Sequence, residues 1–350
     1  MLTTWRELLQ SDPATVYLAI NSGGLVVLLA VLVIVLAASV AFAYFLIYCE
    51  KLFKRIYTRP KPLPQIDRAP TQIDRTTILG RGRNWFYSFR REWINVRTGS
   101  FDGTKLSAYY RPSTQPGCPN IVIMLHAYDE EPTQCAAYAK LLMTKLQCHV
   151  LITHMRGHGM SGGKSFTWGL RESVDLDCWF DFAKRRVGPH CRIYLFGRGV
   201  GATACLLAAQ QKGFCPEVCG IIGDSPIDTL PSYLRNVLDR NKFFSTEATL
   251  YRLRMLTKSR FGFDMNVCDC AVHAGRIRVP VLLFEGGEDD EALPSGVSDI
   301  YDNLRCRKRM VVVNDAKHLQ CYENAQALYE REVQKFIESC ISRLAKLGRL

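Results

Sequence analysis

Three stretches of this sequence hold residues that could do chemistry together. In Tyr194-Leu-Phe-Gly-Arg-Gly-Val-Gly-Ala202 an apolar run ends in a glycine-framed turn, and a further apolar run follows. Strand, sharp turn and helix are the context in which G-x-S-x-G lifts a serine hydroxyl above a sheet. Gly197 and Gly201 frame the turn here, and the central residue is Gly199. Downstream, Glu285-Gly-Gly-Glu-Asp-Asp-Glu-Ala-Leu-Pro294 supplies carboxylates, and the spacing before Leu293-Pro294 favours Asp290 over Asp289. Asn314-Asp-Ala-Lys-His318 supplies an imidazole. The order turn, acid, histidine is that of hydrolases built on such an elbow. In that arrangement His318 is the general base, held in one tautomer by the acid. Two backbone N–H groups would form the oxyanion hole, one from Val200 and one from Tyr128 in the His126-Ala127-Tyr128 loop.

Glycine at the centre of the turn removes the atom that would form an acyl-enzyme. Ser161 and Ser225 are the substitute nucleophile candidates, and each also fits as a loop hydroxyl. Cys205 lies one helical turn past the elbow and reads as buried. The run Gly197-Arg-Gly199 also brings a dinucleotide fingerprint to mind, but it follows a late strand and lacks the acidic residue that binds ribose. Cys268-Asp-Cys270 with His273 lacks the two-residue spacer usual in zinc sites. No metal and no cofactor is expected.

The elements that would position these groups alternate. Glu92–Thr98 and Lys105–Arg111 are strand-like and joined through Asp102-Gly103, a hairpin signal. Ile121–Leu125, Val150–Thr153, Arg192–Phe196, Gly220–Gly223, Val281–Phe284 and Met310–Val313 are short apolar runs, as in strands buried on both faces of a parallel sheet. Helical patterns over 132–145, 172–186, 201–211 and 322–347 separate them. Such alternation predicts a doubly wound, mostly parallel α/β sheet with its site at the carboxyl ends of the strands. Residues 226–278 interrupt the pattern and read as a small helical cap, with basic residues at Arg235, Arg240, Lys242, Arg252, Arg254, Lys258 and Arg260.

Leu25–Tyr48 is 24 residues without a charge, and about 20 suffice to span a bilayer. It is too long for the apolar core of a cleavable signal peptide. The expectation is one transmembrane helix at 25–48 after a short segment at 1–24, then a basic, proline-containing tether at 49–84 and a folded domain at 85–350. Residues 51–91 carry eleven Lys and Arg against two Asp, +9 of the whole chain's +12. The positive-inside rule then places the domain in the cytosol, and the basic stretch would favour contact with an anionic leaflet. The rest of the chain is nearly balanced in charge and shows no zinc-finger or RNA-binding signature, which excludes nucleic acid as a partner. Fourteen cysteines without a regular framework read as reduced thiols.

On Ile123-Met-Leu-His126, Arg156-Gly-His-Gly-Met-Ser161, Phe196-Gly-Arg-Gly-Val-Gly201, Asp224-Ser-Pro226, Glu288–Pro294 and Asp315–His318, the chain from about residue 92 onward resembles the α/β-hydrolase superfamily. It looks most like the Bem46-type branch, which overlaps with the serine aminopeptidase-like hydrolases. The resemblance implies the α/β-hydrolase fold and ester or acyl hydrolysis, commonly behind a membrane anchor. It also implies a serine where Gly199 stands. The resulting expectation is a membrane-anchored pseudohydrolase that binds or scaffolds an acyl- or ester-like ligand or a protein partner. The alternative is an active ester or acyl hydrolase using Asp290 and His318 with water or a substitute nucleophile.

Overall fold

A computed structural model describes residues 13–58, 73–240 and 243–348. The chain divides between Leu52 and Phe53 into two compact units. The first is helical: α1, Pro13–Tyr57, begins in it and is 45 residues long. From Gly24 this helix is long and apolar enough to cross a membrane, with a mean hydropathy of 3.2 in its most apolar window, none of which is buried. From Gly24 to Cys49 the helix carries no charge, and the first charged residues are Glu50 and Lys51.

The second unit carries, in chain order, α2 (Ile78–Ser88), β1 (Ile94–Gly99), β2 (Lys105–Arg111), β3 (Asn120–Leu125), α3 (Ala136–Leu146), β4 (His149–His154), α4 (Leu170–Val187), β5 (Arg192–Arg198), α5 (Val200–Ala209) and β6 (Val218–Asp224). There follow α6 (Leu230–Arg240), α7 (Thr246–Phe261), β7 (Val281–Gly286), α8 (Pro294–Asn303), β8 (Lys308–Val313), α9 (Cys321–Asn324) and α10 (Gln326–Lys346). One eight-stranded sheet runs β1-β2-β4-β3-β5-β6-β7-β8. The pairs β1–β2 and β2–β4 are antiparallel, and the rest are parallel. From β3 the chain steps to β4 on one side, and from β5 onward it steps the other way. The carboxyl ends of β3 and β5 therefore flank the point where the strand order reverses, the natural crevice of such a sheet.

The folded unit reaches further toward the N-terminus than residue 85. Phe53, Ile56 and Tyr57 are buried. Phe53 stacks on Phe261 at 5.7 Å, the Tyr57 hydroxyl meets that of Thr257 at 3.1 Å, and Trp168 Nε1 donates to the Ile56 carbonyl. The tether expected at 49–84 is thus corrected at both ends, while its middle, 59–72, lies outside the described residues. At the far end stands α2. Thr77 caps it through Gly80 N–H, and Glu323 accepts from the N–H groups of Ile78 and Leu79, each at 2.8 Å. Gly82 lies so close to Ala137 that a Cβ would fall 2.4 Å from its backbone. Gly80 and Gly82 make this segment a poor helix former alone; Gly82 lets it pack against α3, and Gly80 lets it close on the Asp74 carbonyl.

None of the fourteen cysteines forms a disulfide, and most are buried. Cys268 and Cys270 point their thiols at the carbonyls of Thr167 and Thr203. Among the described residues no group of three or more His, Cys, Asp or Glu is arranged to hold a metal.

Candidate active site

The turn after β5 is built by its glycines. A Cβ on Gly197 would lie 2.4 Å from Ala202 N, and one on Gly201 would lie 2.4 Å from the Leu125 carbonyl. Only glycine lets α5 press this closely on β5 and β3. Gly199 differs. Its φ of 50° and ψ of −122° are the strained backbone of an elbow residue, but there is space above it. A Cβ there would meet Ala127 Cβ at 3.3 Å, His318 Nε2 at 3.6 Å and Leu319 Cδ2 at 3.7 Å. The position points straight at the imidazole.

His318 Nδ1 bonds Asp289 Oδ2 at 2.7 Å. Asp289 is fixed by its other oxygen, which accepts from the N–H groups of Glu291 and Ala292, both at 2.9 Å. Asp290, the acid expected from sequence, is a correction: it is exposed and pairs with Arg240 at 3.2 Å. Neighbouring residues in a tight turn project in opposite directions, and the turn closed by the Asp289 carboxylate sends Asp290 outward. With Nδ1–H given to Asp289, Nε2 is left facing Gly199. It has no protein partner among the described residues. Burial works to lower the His318 pKa, but the hydrogen bond and charge of Asp289, helped by Glu291 and Asp224, outweigh it and hold the imidazole above its ordinary value.

The donors expected at an oxyanion hole, Val200 and Tyr128, both have open backbone N–H groups. Val200 opens α5, so its N–H has no partner within the helix. Ala127 N–H is taken by Glu130 Oε2 at 3.1 Å, which leaves Tyr128 N–H as the available donor of that loop. Neither Tyr128 nor Val200 N–H meets a protein acceptor among the described residues. The Tyr128 ring stacks on Trp168 at 4.9 Å, and its carbonyl accepts from His158 Nε2 at 2.7 Å, so the loop is well anchored.

No family model matches the chain. A curated relative, the uncharacterized protein YqkD of Bacillus subtilis (strain 168), is 25% identical over 222 residues, 63% of this chain and 72% of the relative. Among solved structures, the esterase Pf2001 of Pyrococcus furiosus matches with a TM-score of 0.58 at 19% identity, covering 81% of this chain and 98% of that one. Est1E of Butyrivibrio proteoclasticus, solved with ferulic acid bound, matches with a TM-score of 0.53 at 18% identity over 71% of this chain and 99% of its own. The α/β hydrolase GrgF of Penicillium sp. sh18 matches with a TM-score of 0.55 at 15% identity over 71% and 99%. The chain has the α/β-hydrolase fold.

Within this α/β-hydrolase fold, two groups that the sequence did not single out hold the site together. Arg198, 1% exposed, pairs with Glu130, donates from Nη2 to the Leu319 carbonyl at 2.9 Å and lies over the Tyr138 ring at 4.9 Å. Glu130 in turn takes Ala127 N–H. One buried ion pair therefore ties together the loop after β3, the elbow and the histidine loop. The only sequence signal was an arginine inside an otherwise apolar turn. The second group is Glu285, at the end of β7. It is 1% exposed, and among the described residues neither of its oxygens has a hydrogen-bond partner. Burial, then the nearby charges of Asp289 and Asp224, push its pKa up to about 10. The carboxyl is held protonated beside the Asp289–His318 pair.

The substitute nucleophile candidates are not brought to His318. Ser161 Oγ donates to the His154 carbonyl at 2.5 Å and accepts from Ser107 N–H at 2.9 Å, a buried structural pairing. Ser225 Oγ lies 3.4 Å from Asp224 Oδ1 and accepts from Leu319 N–H at the same distance, fully buried beneath the histidine loop. Cys205 is buried, and burial pushes its thiol well above the usual range, which disfavours the thiolate a nucleophile requires.

Proposed function

We propose that this chain is a membrane-anchored pseudohydrolase of the Bem46-like, serine aminopeptidase-like branch. In this reading Gly199 stands where the nucleophilic serine stood, and the protein acts by binding or scaffolding. One observation carries it: the elbow is intact in backbone, yet its central residue has no side chain 3.6 Å short of His318 Nε2. Without a hydroxyl, the open N–H groups of Val200 and Tyr128 and the partly buried imidazole of His318 suit an acyl- or ester-like ligand or a protein segment that mimics one. The esterases among the structural neighbours favour that ligand class. The apolar helix from Gly24 supports a single-pass anchor, and the charge excess after it supports a cytosolic domain.

One observation favours a rival reading, that of a slow ester or acyl hydrolase. The Asp289–His318 pair is complete, and water activated at Nε2 could attack a bound ester directly. Labelling with a fluorophosphonate probe and turnover of short-chain nitrophenyl esters separate the two. The binding reading expects no labelling and no turnover above background in the natural chain. Turnover as fast as that of a Gly199→Ser variant would overturn it. Resistance to carbonate extraction, with protease protection of tags at each end, tests the anchor and its orientation.

A further inference from the structure

The end of α1 is not a loose leash. Phe53–Tyr57 is built into the folded unit against α7 and the loop before α4. Tyr48, the last residue of the uncharged run, is only five residues before Phe53. Even fully extended, five residues reach no further than about 18 Å. If the apolar run spans a bilayer, Phe53 lies within that reach of the end of the span.

What lies around it is basic and interfacial. Lys54 and Arg55 are exposed, and the Arg260 guanidinium sits 4.9 Å from the Phe53 ring centroid. Lys258 follows directly on Thr257, whose hydroxyl meets Tyr57. The segments 53–58 and 257–263 hold these four cations and no carboxylate. Along the exposed side of α7, Tyr251 is 66% exposed and Met255 37% exposed, and with Lys258 they fall at i, i+4 and i+7, one stripe of the helix. Aromatic and flexible apolar side chains beside cations suit a lipid–water boundary. Three further arginines of the cap are in ion pairs: Arg254 with Asp264, Arg235 with Glu247 and Arg240 with Asp290.

We propose that Lys54, Arg55, Lys258 and Arg260, with the Tyr251–Met255 stripe of α7, form a surface that binds the anionic lipid headgroups of the leaflet from which the domain emerges. The proposal deepens the anchored reading above and rests on it. Lipid is favoured over an acidic protein because the chain's own reach keeps Phe53 close to the end of the span.

The test uses the full chain in nanodiscs of phosphatidylcholine alone or with a minority of phosphatidylserine, first challenged with carbonate. Hydrogen exchange is then followed at 53–58 and 246–263. Expected is exchange slowed at least about fivefold by phosphatidylserine, the factor equivalent to one basic residue near an anionic surface, with the slowing abolished by high salt and by a K54Q/R55Q/K258Q/R260Q variant. If that variant does not fold, the salt series on the natural chain decides: slowing that survives high salt overturns the proposal. A chain retained after carbonate whose exchange ignores phosphatidylserine overturns this proposal and leaves the anchor standing. Release by carbonate overturns the anchor and the proposal together.

Discussion

The elbow after β5 and the loops after β7 and β8 face one another across a few ångströms, yet they depend on different things. The elbow is made by backbone: Gly197 and Gly201 permit close packing, and Gly199 takes the strained turn without a steric penalty. The acid and base are made by side chains, with Asp289 closing its own turn and passing its second oxygen to His318. Deleting a side chain at the elbow therefore leaves the scaffold untouched. Deleting one in the opposing loops would undo the turn as well as the chemistry. An elbow made this way can stand with glycine at its centre while the Asp289–His318 pair, Arg198–Glu130 and the loop after β3 stay assembled.

The largest expected effect is at the elbow itself. Gly199→Ser should raise ester turnover by about 10⁴–10⁶-fold, the converse of removing a triad nucleophile, and should permit fluorophosphonate labelling. It should also lower unfolding free energy by about 1–3 kcal/mol, because a non-glycine residue must now hold the strained conformation. Calorimetry and probe labelling on the same sample check both, and a stable variant that stays inert would break the comparison. Within that variant, Asp289→Asn should cost about 10³–10⁴-fold, as expected when the histidine loses the partner that sets its tautomer. Asp290→Asn should leave turnover within about twofold, since its carboxylate pairs on the surface. Because Asp289 holds the His318 pKa up, the free base appears only at higher pH. Turnover of the serine variant should thus rise with pH through a midpoint above the ordinary histidine value, and a midpoint below it would contradict the assigned pairing.

Next in size is the buried link. Arg198→Gln or Glu130→Gln leaves one uncompensated buried charge and should cost about 3–5 kcal/mol in urea denaturation. A double variant carrying both changes should lose less than the two single losses added together. The effect of Glu285 is read against pH rather than in a single loss. Its folded pKa is raised, so its contribution to stability is full below the unfolded carboxylate value and is lost as pH rises toward about 10. That loss has a slope of about 1.4 kcal/mol per pH unit. Glu285→Gln keeps the shape of the side chain without a titrating proton and should flatten the melting temperature against pH between neutral and alkaline conditions. An unchanged slope would mean that Glu285 is ionised.

Much of this was legible in the residues. The order of strands and helices followed from apolar runs and glycine turns. His318 was found because it follows the last strand, and Gly199 because it sits within its frame. Asp289 was not separable from Asp290, since which of two adjacent carboxylates faces inward depends on the N–H groups of Glu291 and Ala292. Segment 78–88 was hidden by its glycines, which weaken a helix in isolation; Gly82 strengthens it only by its close approach to Ala137. Phe53–Tyr57 was hidden by the charges and prolines around it.

Residue identity alone determined that the elbow lacks a hydroxyl, that one run is apolar enough to cross a bilayer and that strands alternate with helices. All of these are local properties of composition and periodicity. Which aspartate serves His318, where the proton of Glu285 resides and where the folded unit begins were decided only by tertiary structure. Each depends on groups far apart in the chain meeting at a few ångströms in a medium that excludes water, where burial sets charge and packing sets direction.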